Sequence, residues 1–279
     1  MALSPAGNSD TAAAATFIPV AGEVYEQQLG RWSRRLAPLF LDFLGDGDEG
    51  KRIIDVGCGT GSLTFSLAER HPTATIVGCD IAEPLLAYAR TANCHPERVS
   101  FEHADACALP YDEGAFDWAL CNFVLMFVPD AKLAAREMVR VARPGGVVAA
   151  TTWDFRGGFT YIRMIADTAA AMEAPGADAW RTRFFCAPGA RPGHLAALWR
   201  EAGLRDIREA EITIRVDYAN FSDLWDPISS GPAFGVYFRS LSPDWQARVR
   251  EKVEKAYLAG DLDGLRSFAV TAWAVVGTR

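Results

Sequence analysis

The stretch RIIDVGCGTGSL, Arg52 to Leu63, constrains the fold more than any other part of the chain. An apolar pair, Ile53 and Ile54, meets an acid, Asp55, and then glycines at 57, 59 and 61. A short apolar run closed by turn residues reads as a buried strand that breaks into a tight turn. Glycine turns of this kind hold a dinucleotide pyrophosphate, a nucleoside triphosphate or a sulfonium nucleoside, and spacing separates them. The dinucleotide fingerprint is GxGxxG, whose third glycine lets helix and strand pack closely beside the pyrophosphate. Here the run is GxGxG, with Ser62 where the third glycine belongs. A triphosphate loop ends in GK[ST], and no lysine follows. Both phosphate readings fail on spacing.

The flanking pattern alternates strand and helix. Strands are predicted at Arg52–Val56, Ala74–Cys79 closed by Asp80, Val99–His103, within FDWALCNFVLMF, which runs from strand into an apolar loop, and VVAATTW after an RPGG turn. Helices are predicted at Ser62–Arg70, Glu83–Asn93 and Ala131–Val141. This order implies a parallel sheet covered on both faces. Upstream, Val24 to Phe43 shows helical spacing, with Pro38 marking a break or a new start. After Trp153 the pattern changes. Helices are expected at Thr160–Glu173 and His194–Ala202, around an irregular stretch, APGADAWRTRFFCAPGARPG. LRDIREAEITIRVDY reads as a long strand, Phe221–Gly260 mixes helix and loop signals, and SFAVTAWAVVGTR closes the chain as a strand. Two late strands separated by a helical insertion fit one domain with a cap better than two independent domains.

Composition narrows the function classes. The chain has 279 residues and a net charge of −7, which gives no reason to expect a nucleic-acid surface. Six cysteines lie at 58, 79, 94, 107, 121 and 186, with no CxxC pair and no histidine cluster beside them. They read as reduced core or near-core thiols and a cytoplasmic signature, with no metal site. The first residues, to about Thr16, are small and polar and read as a flexible tail; they lack the charged and apolar regions of a signal peptide. No apolar run approaches the ~20 residues of a membrane span.

DVGCGTG, followed by Asp80 at the end of the next strand, resembles the class I S-adenosylmethionine-dependent methyltransferases. The resemblance extends through FEHADACALPYDEGAFDWALCNFVLMFV and AREMVRVARPGGVVAATTW. It is close to the branch that includes the ubiquinone and menaquinone biosynthesis methyltransferases, covering Tyr25 to Trp153 well and the remainder loosely. It implies an α/β fold: a Rossmann-like, seven-stranded, mostly parallel sheet flanked by helices, with helical cap insertions in the C-terminal half. The domain would run over 17–279: a helical cover at 17–50, a cofactor-binding core at 51–155, cap insertions at 156–203 and 218–264, and late strands at 204–217 and 267–279.

The resemblance also implies roles. Gly57, Gly59 and Gly61 would let the main chain approach S-adenosylmethionine where a Cβ would clash. Asp55 would organise the loop through backbone N–H groups or meet the methionine ammonium. Asp80 would take both ribose hydroxyls, Ile81 would pack on the adenine, Asp105 would accept from the adenine amino group, and Ala106 would offer its N–H. Asn122 would lie near the methyl end. Tyr25 and Arg31, from the covering segment, are candidates for the methionine carboxylate.

Methyl transfer from a sulfonium is an in-line displacement from an activated donor, leaving S-adenosylhomocysteine, so the protein mainly supplies alignment. Phe123, Phe127 or Trp153 could add cation–π stabilisation. An acceptor with a high pKa would need a general base. None of His71, His95, His103 and His194 stands out; Asp154 and His194 are the candidates. Ligands bind open parallel sheets beyond the carboxyl ends of the strands. The acceptor pocket should therefore draw on Asn122–Phe127, Trp153–Tyr161 and the aromatic insertions, with Phe127, Trp153, Tyr161, Trp225 and Tyr237 as candidates. Arg181 and Arg183 could meet an anionic group on the acceptor. The expected function is methyl transfer to a small, partly apolar molecule. The alternatives are a protein that binds the same nucleoside without methyl transfer or for another reaction, and an NAD-type oxidoreductase, which the glycine spacing disfavours.

Overall fold

The computed structural model describes residues 25–26, 30–45, 47, 50–186, 189, 191–231 and 234–279. The tail expected at 1–16 lies outside them. A helix α1 (Arg31–Leu44) precedes the alternating core: β1 (Arg52–Val56), α2 (Ser62–Arg70), β2 (Thr75–Asp80), α3 (Glu83–Ala92), β3 (Val99–His103), β4 (Phe116–Asn122), α4 (Ala131–Val141) and β5 (Ala142–Trp153). Then follow α5 (Thr160–Ala171), α6 (Ala177–Phe185), α7 (His194–Glu201), β6 (Arg205–Tyr218), α8 (Phe221–Ser230), α9 (Phe234–Ser240), α10 (Pro243–Leu258) and β7 (Arg266–Thr278).

The seven strands form one sheet in the order β3-β2-β1-β4-β5-β7-β6. The first five run parallel; β7 pairs antiparallel with β5, and β6 antiparallel with β7. Strand order reverses between β1 and β4, where a crevice opens at the strands' carboxyl ends. Side-chain alternation sends Ile53, Leu120 and Ala149 to a core beneath α1, α2 and the late helices, and Ile54, Cys121 and Ala150 to a core beneath α4 and α7. Burial on both faces explains why these strands read as continuous apolar runs.

Three local expectations are corrected. Pro38 sits inside α1 and does not break it. An interior proline costs about 3 kcal/mol, but Leu36, Ala37, Phe40 and Leu41 around it are buried, and that packing holds the helix. RPGG belongs to β5 rather than to a turn before it: pairing passes from Phe116↔Ala142 to Trp118↔Val147, so extra β5 residues bulge out. The bulge switches faces, putting Phe116 in one core and Trp118 in the other. The irregular stretch after Pro175 contains α6, a nine-residue helix stabilised by burying Trp180 and Phe185 rather than by a local pattern. All six cysteines are free.

Candidate functional site

The carboxyl ends of β1, β2, β4 and β5 and the loop after β3 enclose an open cleft of about 150 Å³. Tyr25, Gly57, Gly59, Asp80, Ile81, Asp105, Ala106, Asn122, Phe127 and Trp153 all line it, together with Ser33, Leu85, Ala104, Phe123, Val124, Val128 and Pro129. A smaller polar chamber adjoins it, bounded by Tyr25, Ser33, Asp55, Gly57, Cys58, Thr60, Ser62, Leu63 and Asn122.

The glycine loop is held from β2. The N–H groups of Gly57 and Cys58 both donate to the Cys79 carbonyl, at 2.7 and 2.9 Å, and Gly59 N–H donates to Asp80 Oδ2 at 2.8 Å. Gly57 and Gly59 have φ of 75° and 55°, a region costly for a residue with a Cβ. They differ in what a Cβ would meet. At Gly57 it would fall 2.3 Å from a Val124 methyl, so that glycine serves the protein's own packing. At Gly59 nothing lies closer than 3.9 Å, and the space a side chain would fill belongs to the cleft. Gly61, at φ 91°, makes room for Phe65 and lines neither the cleft nor the chamber.

Three acids surround this loop. Asp80 accepts from Gly59 N–H through Oδ2 and from Ala82 N–H through Oδ1, both at 2.8 Å. Burial raises its carboxyl above the usual range, opposed by the Ala82 and Gly59 N–H groups. Asp55 is fully buried on β1; Thr64 Oγ1 donates to its Oδ2 at 2.6 Å, and its Oδ1 has no partner among the described residues. Burial pushes this carboxyl up to about 7. A buried carboxylate oxygen without a donor is costly, and here it borders a polar chamber. Asp105 Oδ1 accepts from Cys107 N–H at 2.8 Å, closing an Asx turn at the cleft edge. Ile81, 62% exposed, is a large apolar side chain left open at the same edge.

The covering segment contributes hydroxyls. Burial, and then the Asp80 carboxylate, push the Tyr25 phenol up to about 12, against a hydrogen bond with Ser33. Thr60 Oγ1 and Arg34 both donate to the carboxylate of Glu26, tying this segment to the glycine loop. The cleft also has an apolar wall. Asn122 closes β4 and accepts from Thr151 Oγ1 at 2.5 Å. Phe123 then takes a left-handed φ of 64°, and its ring stacks on Trp153 with centroids 3.8 Å apart and planes 8° apart.

The remaining candidates sit elsewhere. Arg31 pairs with Asp223 at 3.2 Å and lies over the rings of Trp32 and Tyr218, away from the cleft lining. Tyr161, Trp225 and Tyr237 are buried among other aromatic rings of the late helices and β6. Asp154 Oδ1 accepts from the N–H groups of Arg156 and Gly157, capping a turn. His194 starts α7, and neither it nor Asp154 lines the cleft. Arg181 pairs with Asp167 and Asp178. Sequence reasoning missed Ser33, Leu85, Ala104, Val128 and Pro129. Each reads as ordinary helix or loop, and only the chain path brings it to the site.

Among the described residues, neither the cleft nor the polar chamber is lined by a lysine, arginine or histidine. Asp80 and Asp105 on the cleft and Asp55 on the chamber favour a neutral or cationic ligand over an anionic one.

Residues 54–150 match the profile of a family described as a methyltransferase domain. A demethylmenaquinone methyltransferase of Thermus thermophilus is 43% identical over 117 residues, 42% of this chain and 51% of that protein. One from Staphylococcus aureus is 38% identical over 101 residues, 36% of this chain and 42% of that protein. The chain thus spans about half the length, or less, of these curated relatives. Among solved structures, phosphoethanolamine N-methyltransferase 2 of Haemonchus contortus, in complex with phosphomonomethylethanolamine and S-adenosylhomocysteine, superposes with a TM-score of 0.56 at 16% identity, covering 92% of this chain and 56% of that one. The [4+2]-cyclase SpnF does so with a TM-score of 0.52 at 22% identity, covering 88% and 80%. At such identities the structural likeness shows the fold. The family match lies over the sheet's parallel half, including the glycine loop, Asp80, Asp105 and Asn122.

Proposed function

We propose that this chain is an S-adenosylmethionine-dependent methyltransferase that passes a methyl group to a small, partly apolar acceptor by in-line displacement. The observation that carries the reading is Asp80 and Asp105 beside an open Gly59 in the cleft, with Asp55 on the adjoining chamber and, among the described residues, no basic side chain lining either. A donor bearing an ammonium, a ribose diol and an adenine matches that set, and a pyrophosphate does not. The residues fit the nucleoside. Asp55 Oδ1, buried and unpartnered, would accept from the ammonium; Asp80 would take the ribose hydroxyls; Ile81 and Leu85 would hold the adenine, with Asp105 and Ala106 at its edge. When bound, the donor supplies an electrophilic methyl group. The chain's part is alignment and exclusion of water: Tyr25 and Ser33 cover one side, while Asn122, Phe123, Phe127 and Trp153 wall the other.

Among the described residues, Asp154 and His194 lie outside the cleft lining. This favours an acceptor that carries an acidic or electron-rich nucleophile of its own. The apolar wall suits a flat, apolar ring, and the relatives that act on demethylmenaquinone take one. We read residues 17–279 as one such domain in the cytoplasm, with the helices between β5 and β6 and between β6 and β7 as its cap. A nucleoside-binding protein with another reaction is the second reading, favoured by the absent base and by the shared fold of the cyclase SpnF. Incubation with methyl-labelled donor and a panel of quinols and hydroxylated aromatic compounds tests the choice. Labelled product is expected; tight donor binding with no transfer to any member would favour the second reading.

A further inference from the structure

The loop between β3 and β4 brings Asp105 and Ala106 to the cleft, and its hold on that position comes partly from α4. Its first turn is closed locally. Cys107 N–H donates to Asp105 Oδ1 at 2.8 Å, and Ala108 N–H to the Asp105 carbonyl at 2.9 Å. The turn uses Oδ1 and leaves Oδ2 for a ligand. Leu109, the next residue, is buried, so its backbone groups need partners within the protein. Two side chains of α4 supply them. Glu137 Oε2 accepts from Leu109 N–H at 2.8 Å, and Arg140 Nη2 donates to the Leu109 carbonyl at 2.8 Å. Arg140 Nη1 reaches the Tyr111 carbonyl at 2.6 Å.

The two side chains are also fastened to each other. They stand one helical turn apart, and Arg140 Nε and Nη2 donate to the two Glu137 oxygens at 2.7 and 2.8 Å. Those bonds hold the Glu137 carboxyl below the usual carboxylate range. The Arg140 carbonyl in turn accepts from Gly114 N–H at 2.9 Å and from the Arg279 guanidinium at 2.8 Å. Neither Glu137 nor Arg140 lines the cleft or the polar chamber. Together they form a clasp behind the turn that faces it.

Resting on the function proposed above, we propose that Glu137 and Arg140 are positioning residues that hold the Asp105–Ala106 turn and thereby set the site's preference for adenine over other purines. Adenine presents an amino donor beside a ring-nitrogen acceptor. Asp105 Oδ2 and Ala106 N–H answer both only if the turn is held to within about 0.5 Å. Hypoxanthine carries a carbonyl and a ring N–H at the same places, so a fixed turn opposes it and a loose turn does not.

The test is the ratio of dissociation constants for the hypoxanthine analogue of S-adenosylhomocysteine and for S-adenosylhomocysteine itself, measured by calorimetry on the full chain. Wild type should prefer adenine about 100-fold, the worth of two mismatched hydrogen bonds. In Glu137→Ala that ratio should fall about tenfold, through weaker adenine binding, with the analogue within twofold of wild type. Glu137→Gln keeps an acceptor for Leu109 N–H and should restore the ratio to within about threefold of wild type. Should the alanine variant not fold, Arg140→Lys, whose single ammonium cannot make the fork's bonds together, should show the same fall. Trp199→Phe breaks a buried bond to the Val148 carbonyl away from the cleft. It should lower the melting temperature and leave the ratio unchanged. An unchanged ratio in Glu137→Ala and Arg140→Lys, an equal loss for both ligands, or an equal fall in Trp199→Phe overturns the inference. Wild-type protein that binds both ligands alike removes it and the adenine-edge assignment while leaving the donor reading. Binding of neither removes the proposed function as well.

Discussion

At the scale of single residues, two carboxylates carry different loads. Asp80 holds the glycine loop through Gly59 N–H as well as facing the cleft. Asp80→Ala should weaken S-adenosylhomocysteine binding about 100-fold, the worth of two charge-assisted hydrogen bonds. It should also cost roughly 1–3 kcal/mol of stability for the N–H groups left unpaired. Calorimetry and a melting curve check both; unchanged affinity would remove the ribose assignment. Asp55 is governed by burial. Its folded-state value of about 7 lies above the ordinary carboxyl value of 3.8, so the unfolded chain ionises first. Its contribution to stability is present below about pH 4 and lost as pH rises to about 7. Denaturant titrations should show that decline in wild type and a flatter profile in Asp55→Asn over the same window. A bound ammonium favours the ionised form, so nucleoside binding below pH 7 should release a proton and tighten as pH rises. Calorimetry in two buffers of different ionisation enthalpy reads that release, which should vanish in Asp55→Asn.

At the scale of elements, ion pairs and ring contacts tie α1 to the C-terminal half. Arg31 meets Asp223 of α8, and Arg35 meets Asp217 and the Arg215 carbonyl of β6. Both ion pairs are partly exposed, so Asp223→Ala should cost less than ~1 kcal/mol. Arg31→Ala should cost more, because it also removes the guanidinium packed over Trp32 and Tyr218. Melting temperatures of the two variants rank the terms, and equal shifts would contradict the packing argument. The alternating core was legible because strand and helix periods are local, and Ser62–Arg70, Val99–His103 and Ala131–Val141 stand where their patterns put them. Pro38 and α6 were not, since each is decided by partners far along the chain: the apolar residues packed around α1 in one case, a pocket for Trp180 in the other. Most residues that the resemblance singled out between Gly57 and Asn122 line the cleft. It could not place Arg31, Tyr161, Trp225 or Tyr237, whose side chains choose among several aromatic neighbours only in three dimensions, nor could it foresee the left-handed turn at Phe123.

At the scale of the whole molecule, one sheet organises everything. Five parallel strands build the cleft at their carboxyl ends, and the antiparallel β7 and β6 extend the platform on which the late helices pack. Among the described residues, no helix is long and apolar enough to cross a membrane, and no cluster of side chains could hold a metal ion. The chain is acidic overall, at −7, and its cleft is acidic within. Both suit a cationic donor and a small acceptor better than a nucleic acid. The most direct measurement of the central claim is a calorimetric titration of wild type and Asp80→Ala with S-adenosylhomocysteine, with NADH as the competing ligand. The account predicts one nucleoside bound per chain in wild type, binding weakened about 100-fold in the variant, and no heat from NADH. Binding of NADH alone, or S-adenosylhomocysteine binding untouched by the loss of Asp80, would contradict it.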